Sequence, residues 1–464
     1  MAERGCFYVH SSLDNPIVCL PEAKAIGKKR NTKFNLRGIL NYVEKTFRLF
    51  DVFRKLPDSR GPNKTIPLAD AVGAVFMMLL LQYRSMDSFF NAPISMKESL
   101  AHCSLKLGCK LKLSRSSAER LLAEVDPDIL RQKLWQVARK ARRNKVFANS
   151  RIDGYTVGII DGIQTFSSDR KKCDAHCLTA HHKNGTETYS HKLVVLSTPC
   201  IGGTGHMVLN YTFLKAGDPT SKDEGEITGM KRLLSEVDKN LKGLVGIYTG
   251  DALYANAPCI NAIRRTGAAA IVRIKGDNRK LIREADQQFD AGKGTMKSFK
   301  GKTRRGEYWV VTATYDEFEM PGVAEPVRLV RFTEIPILKN GCLDTRRDSQ
   351  GRFLREERTA YMLCTDLSIE ITTIWKVMHV RWDIEDACFH VLSTDCHIKH
   401  LYSHKAAEQI IALMLLAFNM RELYLFRHRA RDFVGRGYRQ IDYVKRLEYD
   451  LHNQSIAEML AFSP

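Results

Sequence analysis

Three acidic residues stand out by their surroundings. Asp161 sits inside Ile159-Ile160-Asp161-Gly162, an apolar run where an uncompensated charge would cost several kcal/mol. Asp251 closes Ile247-Tyr248-Thr249-Gly250-Asp251, where a strand pattern gives way to a turn. Glu385 lies in Arg381-Trp382-Asp383-Ile384-Glu385-Asp386-Ala387-Cys388-Phe389. A helix there puts Arg381, Trp382 and Phe389 on the same face as the glutamate. Any one of these acids alone reads more readily as a turn residue or a satisfied surface charge. Together, carboxylates from a strand interior, a strand end and a helix form the set that two-metal phosphoryl transfer requires. Mg2+ takes carboxylate oxygens, water and substrate phosphate, and a pair of ions stabilises both the attacking and the leaving oxygen.

Ile159-Ile160-Asp161-Gly162, Gly250-Asp251-Ala252-Leu253-Tyr254-Ala255-Asn256 and Arg381-Trp382-Asp383-Ile384-Glu385 resemble the three catalytic blocks of DDE transposases of bacterial insertion sequences. The similarity is to the subgroup with a β-rich insertion in its ribonuclease-H-like domain. The spacing agrees: 90 residues from Asp161 to Asp251 and 134 from Asp251 to Glu385. It extends from about Leu56 to about Phe426 and takes in Cys173-Asp174-Ala175-His176-Cys177-Leu178 and Asp395-Cys396-His397-Ile398-Lys399-His400. The resemblance implies that Asp161, Asp251 and Glu385 bind two Mg2+ or Mn2+ ions and catalyse cleavage and strand transfer of double-stranded DNA. It further implies terminal inverted repeats and target DNA as partners, and a homodimer in the active complex. Two helix positions that often carry Tyr and Lys in that subgroup are Met378 and Leu392 here.

The elements that must hold these acids can be read from periodicity. Residues 1–33 form a basic segment without sustained period, and 34–148 read as a helical, DNA-binding domain. In it, Leu36, Ile39, Leu40, Val43 and Phe47 follow helical spacing, and 67–83 is apolar nearly all round. Ser116-Ser117-Ala118-Glu119 has capping-box spacing for a helix over 118–124. With the basic stretch before it, that helix suits a helix-turn-helix or a plain bundle. At about Arg151 the pattern switches to buried strands over 155–166, 192–197 and 207–213, a helix over 224–241, a strand over 244–248, a helix near 257–265 and a strand over 269–274. Further strands at 308–315, 327–332 and 358–365 precede a helix over 371–392 and another over 406–426. This order of elements gives an α/β fold whose sheet has an antiparallel part, and the resemblance implies a ribonuclease-H-like mixed sheet flanked by helices. Its catalytic domain spans 149–276 and 358–430, with a β-rich insertion at 277–357 leaning over the site and a helical tail at 431–464.

The chain has 464 residues and a formal charge of +20 from 72 Lys and Arg against 52 Asp and Glu. The surplus is blocky: Lys24–Arg37, Arg131–Arg151 and Lys293–Arg305 contain no acid. Each run alone suits a solvated face, but three together favour a polyanionic partner. Lys300, Lys302, Arg304 and Arg305, with Trp309, are expected to meet a displaced DNA strand. Arg381 is a further expected DNA contact. Arg273 and Lys275 could touch phosphate or lie on a solvated edge; Trp382 could stack on an extruded base or pack in the core. The apolar runs Ala71–Leu81 and Ile410–Phe418 are shorter than the roughly 20 residues of a bilayer-crossing helix, and nothing near residue 1 reads as a signal peptide. A soluble cytoplasmic protein without membrane association is the expectation. Twelve cysteines are expected reduced. Cys173, His176 and Cys177, near His181, His182 and His191, supply half of a structural zinc pattern. The histidines form no second clean pair, so a loop of reduced thiols is the favoured reading. Two other functions share these features: a transposase-derived DNA-binding protein without activity, and a ribonuclease-H-like nuclease without strand transfer.

Overall fold

The structure is a computed structural model that describes residues 17–20, 36–91, 113–170, 173, 177–199, 206–217, 222–275, 279–428 and most of 441–447. Most of the expected N-terminal segment, most of the tail over 431–464, the stretch before Leu113, and His176 lie outside these residues.

After a two-residue strand β1 (Val18–Cys19), the described residues of the N-terminal part hold the α-helices α1 (Leu36–Tyr42), α2 (Leu49–Arg54), α3 (Leu68–Leu80), α4 (Met86–Phe90), α5 (Arg115–Ala123) and α6 (Pro127–Arg143). Helix α5 starts three residues before the expected 118, and its N-cap is two residues before Ser116. Ser114 has extended backbone angles and its hydroxyl accepts the Ser117 N–H at 3.3 Å, so it is the N-cap. α3 is buried nearly all round because it packs on α12 (Ala407–His428), close to the C-terminal end of the described chain.

A short strand β2 (Arg151–Ile152) leads into β3 (Tyr155–Ser168), whose Val157, Ile159 and Ile160 are all buried. Burial on both faces explains an apolar run without alternation. β5 (Glu187–Ser197) pairs antiparallel with β3, and both β4 (Leu178–His181) and β6 (Val208–Phe213) pair with β5. On the other side of β3, β7 (Ile247–Thr249) and then β8 (Ala269–Ile274) run parallel to it. The helices α7 (Glu226–Asn240) and α8 (Ala257–Arg265) make the crossovers. The order β6-β5-β3-β7-β8 is a ribonuclease-H-like sheet, helices flanking it.

After α9 (Arg279–Asp290), the strands β9 (Thr295–Lys302), β10 (Tyr308–Phe318) and β11 (Val327–Ile337) form a meander. β11 pairs with β12 (Arg358–Cys364), and β12 pairs with β8, so all twelve described strands form one sheet. The meander thus extends the central sheet edgewise through continuous hydrogen bonding.

The helix expected over 371–392 is broken. α10 (Ile371–Val380) ends before a π-helical turn, Ile384–Phe389, followed by α11 (His390–Thr394). α12 is 22 residues long and apolar enough to cross a bilayer by length and composition, longer than the run expected from sequence. Nearly all of that stretch is buried inside the fold. Its polar residues are spent internally. Asn419 exchanges two hydrogen bonds with the Val208 backbone, at 3.0 and 2.8 Å, acting as a strand partner for β6. Arg421 donates to the carbonyls of Leu79 and Leu80 at the end of α3. The N-terminal helices, α12 and the sheet therefore share one core.

Candidate active site

β3 and β7 place two of the acids. Ile159 pairs with Thr249 in parallel register, and Asp161 and Asp251 each lie two residues further on. Neighbouring strands are about 4.8 Å apart, so the two acids stand side by side where β7 ends, the usual ligand position in parallel sheets. Asp251 opens a short 3-10 turn, Ala252–Tyr254, and its Oδ1 accepts the Leu253 N–H at 2.9 Å. Gly250 is required there, because a Cβ would come within 2.6 Å of the Tyr254 ring and 3.0 Å of the Ile160 carbonyl.

The π-helical turn bearing Glu385 packs against β3. Such turns shift side chains out of helical register and recur at functional sites. The Arg381 guanidinium, 5 % exposed, donates to Glu385 Oε1 at 3.2 Å and lies 4.1 Å from the centre of the Trp382 ring. Trp382 itself is 45 % exposed, so core packing does not account for it.

Burial pushes the Asp161 carboxyl up to about 7; the Gly162 N–H bond works against this, and the charges of Glu385, Asp251 and Glu226 reinforce it. Glu226 is a fourth acid that the sequence did not single out. It opens α7 and lies against β3, where a Cβ on Gly162 would fall 2.6 Å from its carboxylate. The Tyr254 hydroxyl donates to it. Burial holds its pKa above the usual carboxylate range. In sequence, an acid in a first helical turn looks like ordinary compensation of the helix dipole. Glu226→Gln is expected to lower the Asp161 pKa, read by carboxyl carbon NMR titration; an unchanged titration would remove Glu226 from the cluster.

Four carboxylates with oxygen donors alone suit hard divalent cations such as Mg2+ or Mn2+ better than softer metals. Beside them lies a cationic patch. Burial, with the charges of Arg381 and Arg358, pulls the Arg273 guanidinium below its usual range. Its Nε is buried and has no hydrogen-bond partner among the described residues. Of these three guanidiniums, Arg381 is paired with Glu385 and Arg358 with Glu334.

Some of the other expected contacts are already engaged. In the β9–β10 turn, Arg304 pairs with Asp383 and Arg305 with Asp386 at 3.0 Å, so the hairpin tip is latched to the acids flanking Glu385. Lys302 lies 5.9 Å from the centre of the Tyr308 ring, while Lys300 is half-buried on β9 and Lys275 is exposed after β8. Trp309, expected to face a DNA strand, is buried under Arg355 and Arg358 instead. Within Arg131–Arg151, Arg131 pairs with Asp128 and Glu236, and Lys133 is buried against the Phe47 carbonyl.

A model of the transposase DDE domain matches residues 171–420, more than half of the chain. The chain belongs to this family. No curated protein matches it. The segment matched as a DDE transposase domain contains Asp251 and Glu385 and begins ten residues after Asp161. The place of Asp161 beside Asp251 therefore rests on strand register. A transposase of this family acts on DNA and generally uses divalent metal ions, which agrees with the oxygen-donor character of the acidic cluster.

Proposed function

We propose that this DDE transposase binds the terminal inverted repeats of an insertion sequence as a homodimer and cleaves and joins DNA through Asp161, Asp251 and Glu385. The observation that carries the reading is the gathering of these acids with Glu226 where β7 ends beside the middle of β3, next to the Arg273–Arg381 patch. Two divalent ions held by the carboxylates would activate water and then the freed 3′-OH for in-line attack on a phosphodiester.

The chain's own residues supply the rest. Arg381 orients Glu385 and compensates part of the acidic charge. Arg273 offers a desolvated guanidinium to a backbone phosphate. Trp382 presents an exposed indole face on which an unstacked base can lie. Arg304 and Arg305, through Asp383 and Asp386, hold the turn that carries Glu385. Their charge thus acts on the position of the acid, and contact with the DNA backbone falls to Lys275 and Lys300, with Lys302 beside the Tyr308 ring. Such a protein works in the cytoplasm on chromosomal DNA.

Purified protein with Mg2+ and a supercoiled plasmid carrying the flanking repeats is expected to give cleaved ends and joined products. Cleavage without joining would indicate a nuclease. Repeat binding without cleavage would indicate a DNA-binding protein that has lost activity. Binding should weaken steeply with salt, since phosphate neutralisation releases counterions.

A further inference from the structure

Away from the acidic cluster, two thiols and two imidazoles converge. We infer that Cys173, Cys177, His191 and His404 form a structural zinc site that ties the edge of the catalytic sheet to the segment entering α12. One potential ligand atom from each of the four residues lies within 4.8 Å of the others. Cys173 Sγ is 3.3 Å from Cys177 Sγ and 3.0 Å from His191 Nε2, and Cys177 Sγ is 3.4 Å from the same nitrogen. A sulfur separation of 3.3 Å is far beyond a disulfide bond of about 2.05 Å. Two sulfurs and two nitrogens at the corners of one small volume are the donor set of closed tetrahedral zinc. The Cys173 N–H donates to Cys177 Sγ at 3.1 Å, a bond that stabilises a thiolate.

The ligands come from three parts of the chain. Cys173 and Cys177 precede β4, His191 lies on β5, and His404 comes just before α12, more than two hundred residues later. Closing so long a loop is costly for a bare chain, and a bound ion offsets that cost. Cys177 and His191 are only 2 % and 1 % exposed. Phe166 lies against both imidazoles, its ring centre 5.1 Å from that of His191 and 5.3 Å from that of His404. This apolar cover keeps water from the ligands. His191 pairs with Phe166 on β3, five residues beyond Asp161, on the order of 16 Å along the strand. The site is therefore separate from the acidic cluster and uses softer donors. His404 lies outside every local Cys/His spacing, which is why the sequence shows only half of the pattern.

The test uses the full chain purified from zinc-supplemented medium. Elemental analysis should find about one zinc per chain, and the combined Cys173→Ser and His404→Ala variant should lose it. His404→Cys, which keeps four ligands, should retain it. Cobalt exchanged into the wild-type protein should show tetrahedral visible bands with near-ultraviolet thiolate charge transfer, which serves even where a variant does not fold. Absence of stoichiometric zinc, zinc unchanged in the double variant, or a Cys173–Cys177 disulfide in the purified chain would overturn the assignment. None of these readouts depends on DNA cleavage, so the transposase reading stands or falls separately.

Discussion

Asp161→Asn is expected to lower metal-dependent cleavage by about a thousandfold while leaving repeat binding intact. Metal-assisted stabilisation of a phosphoryl transition state is worth several kcal/mol, and each 1.36 kcal/mol is tenfold in rate. The substitution is nearly isosteric and removes the β3 carboxylate that stands beside Asp251 where β7 ends. The Arg273–Arg381 patch is left in place, so mobility-shift affinity in the absence of metal should match the wild type. pH gives a second readout. Burial and the neighbouring acids raise Asp161 to about 7 in the metal-free protein, so below that pH a cation must displace a proton. Mg2+ affinity should therefore rise as pH increases through about 7, and the Asn variant should lose that part of the dependence. Titration calorimetry at several pH values measures it. Cleavage surviving at the wild-type rate in Asp161→Asn would place the chemistry elsewhere.

Glu334→Ala is expected to destabilise the fold by about 3–5 kcal/mol, the usual cost of removing one partner from a buried charged network. Glu334 is on β11 and 1 % exposed. Its carboxylate accepts the Trp375 Nε1–H at 2.7 Å, meets His379 Nε2 at 2.8 Å and pairs with Arg358. Trp375 and His379 belong to α10, the helix that runs into Arg381 and the Glu385 turn. Gly301 on β9 lets the Trp375 ring pack close, since a Cβ there would fall 2.6 Å from it. Burial alone would raise the Glu334 pKa, but His379, Arg358 and Trp375 outweigh it and hold the group down at about 2. A carboxylate depressed in the folded state contributes stability that is present above its unfolded pKa of about 4.5. That contribution is lost as pH falls from there toward 2. Urea midpoints between pH 6 and pH 2 should fall less steeply for Glu334→Gln than for the wild type. An unchanged acid limb would show that the network does not stabilise the fold. Loss of the network should also lower cleavage, because α10 positions Glu385.

Local patterns in the sequence already located most elements of the central sheet. β8 and α8 have the bounds that their apolar spacing suggests, and the long buried run of β3 is visible as an unalternating stretch. Burial and periodicity are properties of neighbours along the chain, so a single sequence records them. The three acids were legible for the same reason, since each interrupts or ends a local apolar pattern. Partners across the chain are decided by strand register and helix packing, which leave no local trace. Glu226 joins the acids only because α7 lies over Gly162. Arg304 and Arg305 look unopposed within Lys293–Arg305, yet the β9–β10 turn delivers them to Asp383 and Asp386, about eighty residues away. The helix through Glu385 reads as continuous, but the residues that latch and flank it accompany a π-helical turn. His404 meets Cys173 only because α12 is buried against the sheet. Composition and periodicity thus determined the elements and the candidate acids of this DDE transposase. Tertiary structure decided which charges are paired, which acid completes the cluster, and which histidines reach the thiols, because those contacts join segments that only the fold brings together.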